Sequence, residues 1–157
     1  MKTGYSALAP VGGVPLVAAT AKTVVAVITP ATFGLDLLKL RAGFDSVTAT
    51  DKAVAVELVA YTADGTGTAG TVNPVYGRGV TVASIPVGFT MKTNYIAEPT
   101  GGTVLDMWSL TPIGGTALID LPFTATPDVG INTVLGLRCT APTSAVNFRG
   151  GMWFERC

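Results

Sequence analysis

The chain has 157 residues and a mass of 16.0 kDa, about the length of one globular domain. Ten Lys and Arg balance ten Asp and Glu and charged residues are only 13% of the chain, which excludes a strongly basic nucleic-acid binder, because neutralising phosphates takes clustered cations. Hydrophobic residues reach 48% with a mean hydropathy of +0.51, enough to bury a core. No stretch approaches the roughly 18 uninterrupted apolar residues of a membrane-spanning helix.

In residues 1–20 Lys2 is the only charge, and Pro10, Gly12, Gly13 and Pro15 break the apolar run, so a secretory signal helix is not expected. The same spacing predicts an extended N-terminal arm over residues 1–20 that orders against a neighbour, with a disordered tail as its alternative. Tyr5, Leu8, Val11, Val14, Leu16 and Val17 are its candidate interface anchors.

Residues 21–157 read as one all-β domain, a β-sandwich of jelly-roll type. Residues 23–29 are β-branched and stop at Pro30, and 35–40 alternate in part before a turn-like Ala42-Gly43. Val54, Val56, Leu58 and Ala60 share one strand face and Glu57 takes the other. Further strands are predicted at 79–83, 93–97, 104–110, 116–121, 134–139 and 146–155. Pro and Gly punctuate them about every ten residues, as in a sandwich. No amphipathic helix longer than about two turns survives the Gly and Pro positions, and no charged or low-complexity linker divides the chain.

The loop at 63–74 contains a literal G-x-G-x-x-G in Gly65, Gly67 and Gly70. A dinucleotide site needs a helix after the glycines to receive the pyrophosphate, whereas Val72-Asn73-Pro74 follows here. No Lys follows either, so this is not a P-loop, and a flexible connection at the end of a sheet is expected.

Histidine is absent, which removes Ser-His-Asp and Cys-His catalysis and His-ligated zinc or iron. Cys139 and Cys157 are too few for a disulfide framework and too far apart for a CxxC site; free thiols are expected over a bridge. Carboxylates remain. A glycosidase needs two facing each other across a sugar, but Glu98, Asp106, Asp120 and Asp128 sit beside turns or in alternating strands, as solvated acids and turn caps do. Asp45 and Asp51 lack the D-x-D density of a calcium loop. Arg149-Gly150-Gly151 is a lone RGG unit, read as a bulge or a close backbone approach over an RNA-binding segment. The expectation is a protein that is not an enzyme, with no catalytic residues, no metal and no cofactor.

Trp108, Phe148, Trp153 and Phe154 fall in the two strongest C-terminal strand patterns, where core or subunit-interface packing is expected over an exposed carbohydrate platform. Consecutive residues of a regular strand face opposite ways, so one of Trp153 and Phe154 points out of the protomer core. Trp108, Trp153 and Phe154 therefore join the candidate interface residues.

Residues 95–112 (Tyr-Ile-Ala-Glu-Pro-Thr-Gly-Gly-Thr-Val-Leu-Asp-Met-Trp-Ser-Leu-Thr-Pro), 118–122 (Leu-Ile-Asp-Leu-Pro), 136–142 (Gly-Leu-Arg-Cys-Thr-Ala-Pro) and 40–49 (Leu-Arg-Ala-Gly-Phe-Asp-Ser-Val-Thr-Ala) carry a resemblance. Spread over about two thirds of the chain, they resemble small structural proteins of tailed-bacteriophage virions, in particular head-associated proteins. Residues 1–20 and the Gly-rich loop have no counterpart in that likeness. It implies a capsid decoration protein: a β-rich homotrimer on the outer surface of the virion whose partners are its own copies and the major capsid lattice. Nucleic acid and membrane are not expected partners. The alternative is a carbohydrate-binding or hydrolytic β-sandwich of a phage tail, a fibre or a secreted protein; high copy number in particles separates the two, and a lattice makes many weak contacts sufficient.

Overall fold

The computed structural model describes residues 4–45, 52–76, 88–121, 127–142 and 145–157. In chain order the strands are β1 (Gly4–Leu8), β2 (Val14–Leu16), β3 (Ala21–Ile28), β4 (Leu35–Asp45), β5 (Val54–Tyr61), β6 (Thr66–Gly70) and β7 (Asn73–Tyr76). They continue with β8 (Thr90–Ala97), β9 (Thr103–Leu110), β10 (Ile113–Asp120), β11 (Asp128–Val129), β12 (Val134–Thr140) and β13 (Val146–Arg156). All strand pairings between them are antiparallel, and the described residues contain no helix.

The strands form two sheets, ordered β10-β4-β13-β1-β7 and β6-β8-β3-β12-β5-β9, with β2 beside β13 and β11 beside β4. The fold is a β-sandwich. Its inner faces are made by period-two alternation: Leu40, Ala42 and Phe44 of β4 and Phe148, Met152 and Phe154 of β13 point inward opposite Val25 and Val27 of β3, Leu58 of β5 and Leu135 and Leu137 of β12. Burying each such side chain stabilises the fold by about 1.5–3 kcal/mol before ordering costs. Phe89 meets Tyr5 and Phe154 at ring-centroid distances of 5.4 and 4.9 Å, which locks one end of the core.

Three expectations are corrected. Over its described part the N-terminal segment is no free arm: β1 lies between β13 and β7 of the same chain, β2 pairs with β13, and Tyr5, Val14 and Leu16 are 3%, 0% and 1% exposed. The Pro and Gly residues that looked like breakers form the turn between two short strands; Ala9 donates its N–H to the Gly150 carbonyl and Gly13 its N–H to that of Pro10, both at 2.8 Å. Pro15 is accommodated because β2 has a strand partner on one side only.

The Gly-rich loop is likewise part of a sheet, since β6 pairs with β8 as the sheet's edge. Glycine is needed where backbones approach: a Cβ on Gly67 would lie 3.1 Å from the Tyr95 ring. Finally, Ala42-Gly43 is no turn, because β4 runs on to Asp45 with Gly43 opposite Arg149. The strand predicted at 79–83 lies outside the described residues.

Candidate functional site

The outward face of the seven-stranded sheet is built from the residues that alternate with the core. In register across β10, β4, β13 and β1, one row reads Asp120, Lys39, Trp153, Ser6, and the next reads Leu118, Arg41, Gly151, Leu8. Arg149 and Gly43 form part of a third. Beside these rows lies a cleft of ≈ 400 Å³, lined among others by Leu8, Val11, Arg41, Arg149, Gly150 and Trp153.

Neither Gly150 nor Gly151 has room for a side chain. A Cβ on Gly151 would strike the Ala7 carbonyl oxygen, and one on Gly150, at φ +151°, the Arg41 carbonyl oxygen. The RGG unit is thus a close backbone approach; the register shift of β13 comes later, between Trp153 and Phe154. Lys39 Nζ stands 5.2 Å and the Arg41 guanidinium 5.7 Å from the Trp153 ring centroid. Arg149 binds Asp45 at 2.8 Å and donates to the Val11 carbonyl at 2.7 Å. Partial burial pushes the Asp45 carboxyl up, but the hydrogen bonds from Arg149 and Asn147 and the Arg149 charge outweigh it and hold the group below the usual carboxylate range.

A second surface lies on β9 and β10, consecutive strands that are the edges of different sheets. Val104, Leu105, Met107, Ile113 and Leu118 are all exposed, and Trp108 and Leu110 are half-buried against the core. Asp106 is the sole charge of β9, and its carboxylate accepts the Met107 N–H at 2.8 Å.

On the outer face of the six-stranded sheet a polar network surrounds a small apolar cluster of Ala26, Val59, Tyr61, Tyr95 and Val134. Glu98 accepts the Thr23 N–H at 2.8 and 3.0 Å and the Thr23 hydroxyl; that hydroxyl also bonds Tyr61, and Tyr95 donates to Asp64 at 2.8 Å. Burial above all pushes both phenols upward, aided at Tyr95 by the Asp64 carboxylate. Arg138 Nε donates to Glu57 at 2.7 Å, which raises the guanidinium further. No buried side-chain polar atom of this network lacks a hydrogen-bond partner, the condition for a structural element.

The candidate interface residues separate. Tyr5, Val14, Leu16 and Phe154 are corrected to core positions: their side of each strand faces the other sheet, where Phe154 is 0% exposed and stacks on Tyr5. Leu8, Val11 and Val17 are exposed, and Trp108 and Trp153 are half-buried. Only Leu8, Val11 and Trp153 share a site, the cleft. Among the carboxylates, Glu98 serves the polar network, Asp106 lies on β9, and Asp120 and Asp128 sit on separate strands that flank β4. No group of three or more Cys, Asp or Glu converges as a metal site among the described residues. Cys139 is buried, Cys157 is exposed, and both are free thiols. Asp51 lies outside the described residues.

Sequence reasoning missed Lys39 and Arg41. Their signal is the alternation Lys39-Leu40-Arg41-Ala42, a cationic stripe on the outer side of a strand that the supposed turn at 42–43 obscured.

No protein-family model and no curated protein matches the chain. Among solved structures, that of the infectious bursal disease virus Gx strain aligns at 14% identity over 99% of this chain and 39% of that one, with a TM-score of 0.14. The VP2 subviral particle of infectious bursal disease virus aligns at 15% identity over 100% and 40%, also at 0.14. The chain spans about two fifths of the length of either. Superposition at this level fixes neither fold nor function.

Proposed function

We propose that the protein is a non-enzymatic structural component of a tailed-bacteriophage virion, a capsid decoration protein that binds the outer face of the major capsid lattice as a homotrimer. The observation that carries this reading is the apolar surface on β9 and β10. Val104, Leu105, Met107, Ile113 and Leu118 are between 42% and 65% exposed on two sheet edges, an arrangement that invites association. The resemblance in residues 95–112 and 118–122 includes β9 and the end of β10 and directs the reading to a virion. A stiff sandwich with an apolar edge suits a role in which many copies bury surface on a repeating shell, since each contact then needs little affinity.

The test is stoichiometry. Purified particles should carry hundreds of copies per virion, and light scattering of the soluble protein should give about 48 kDa, three times 16.0 kDa. A few copies per particle would assign the protein to a tail or fibre instead.

A further inference from the structure

Two exposed surfaces of this chain are complementary in charge, and each carries exposed apolar side chains. The first is the outer edge of β9, where Val104, Leu105 and Met107 are 43%, 42% and 65% exposed around Asp106. Asp106 pairs with Leu58, whose side chain is in the core, so the carboxylate lies on the inter-sheet side of the strand. Met107 pairs with Glu57 and Val104 with Val59, both on the opposite side. The edge thus presents an acidic flank and an apolar flank.

The second surface is the cleft lined among others by Leu8, Val11, Arg41, Arg149, Gly150 and Trp153, which sets cationic side chains beside two exposed apolar ones. In register Arg41 stands on one side of Gly151 and Leu8 on the other, and the Leu8 side chain lies over the buried glycine.

Its charge is available. Arg149 is occupied by Asp45, but Lys39 and Arg41 rest on the Trp153 ring and form no ion pair among the described residues, although Asp120 is the cross-strand neighbour of Lys39. Counting Lys39, Arg41 and Arg149 against Asp45 and Asp120 leaves one positive charge in excess, which one incoming carboxylate balances.

The geometry points to β9 of a second copy as the occupant of this cleft. Asp106 of one protomer meets Arg41 of the next, and Met107 and Val104 cover Leu8 and Val11. Two β9 edges brought together present two Asp106 carboxylates with no cation on β9 to meet them, so the β9 edge does not suit itself. Within the homotrimer proposed above the contact is heterologous, each copy giving its β9 edge to the next and receiving that of the one before. This inference rests on the homotrimer reading and names the surfaces that build it.

The test is a charge-swap cycle read by analytical ultracentrifugation on the full chain. Asp106→Arg and Arg41→Asp, both at exposed positions, should each keep the native circular dichroism spectrum and weaken self-association by about tenfold or more. The double variant should recover wild-type association to within about threefold, because the pair is restored with its sign reversed. A wild-type protein that stays monomeric, single variants that associate as wild type, or a double variant no better than the singles would each overturn the pairing. High copy number on particles combined with failure of the cycle would leave the decoration reading standing and remove this contact alone.

Discussion

Trp153 and Phe154 are neighbours in sequence on opposite sides of one sheet. Phe154 packs in the core, 5.8 Å from the Tyr5 ring and 4.9 Å from that of Phe89, while Trp153 stands outside under Lys39 and Arg41. Their substitutions should therefore differ in kind. Phe154→Ala should cost about 3–5 kcal/mol and shift the urea midpoint strongly. Trp153→Ala loses part of a half-buried ring and its cation contacts, about 1 kcal/mol, and should act mainly on self-association. Equal losses of stability would contradict the assignment of faces.

Deleting residues 1–16 should abolish cooperative unfolding. It removes Tyr5, Val14 and Leu16 from the core and strips β13 of two strand partners. Three large buried side chains at about 2–5 kcal/mol each match the whole stability of a typical domain. A truncated protein that kept its near-ultraviolet circular dichroism and a sharp transition would restore the arm reading.

The two thiols should titrate one at a time. Cys139 is 0% exposed, and burial pushes its thiol far above the ordinary range. Cys157 is exposed, though partial burial and the charges of Asp36 and Asp128 raise it as well. Ellman's reagent at neutral pH should label one thiol, slowly, in the native protein and the second only after denaturant is added. Rapid labelling of both would show that the core opens readily.

Alkali should unfold the protein through Tyr61 and Tyr95. Both phenols are raised in the folded state above the ordinary value of 10.0, so the folded protein holds their protons where the unfolded chain releases them. Their contribution is complete below about pH 10 and is lost as pH rises through the elevated folded values. Phenolate absorbance of Tyr61 and Tyr95, assigned from the Tyr61→Phe and Tyr95→Phe variants, should rise only with the loss of the β-sheet signal. Reversible ionisation of these two at constant secondary structure would argue against the buried network.

Gly150→Ala should destabilise more than a surface glycine such as Gly12, which has open space around it. At φ +151° an L side chain is strained by about 1–3 kcal/mol, and the added Cβ also meets the Arg41 carbonyl oxygen. Differential scanning calorimetry of the two alanine variants checks this; equal melting temperatures would mean that β4 yields there freely.

The strand content was legible because alternation and β-branched runs are local properties. Val54 to Ala60 shows its inner face in the sequence, and Trp153-Phe154 shows that one ring must leave the core. Which of the two rings leaves, which strands end up at an edge and which residues share a row depend on pairings between positions far apart in the chain. Glycine and proline at 10–15 punctuate an arm and a tight turn in the same way, and only the partners that β13 offers decide for the turn. The cleft is likewise invisible in sequence: Arg41, Gly151 and Leu8 become neighbours through two antiparallel registers that span almost the whole chain. Local chemistry thus determined the strands and the lack of imidazole chemistry, whereas long-range registry, set by burial summed over both sheets, decided which apolar and charged groups were left facing outward.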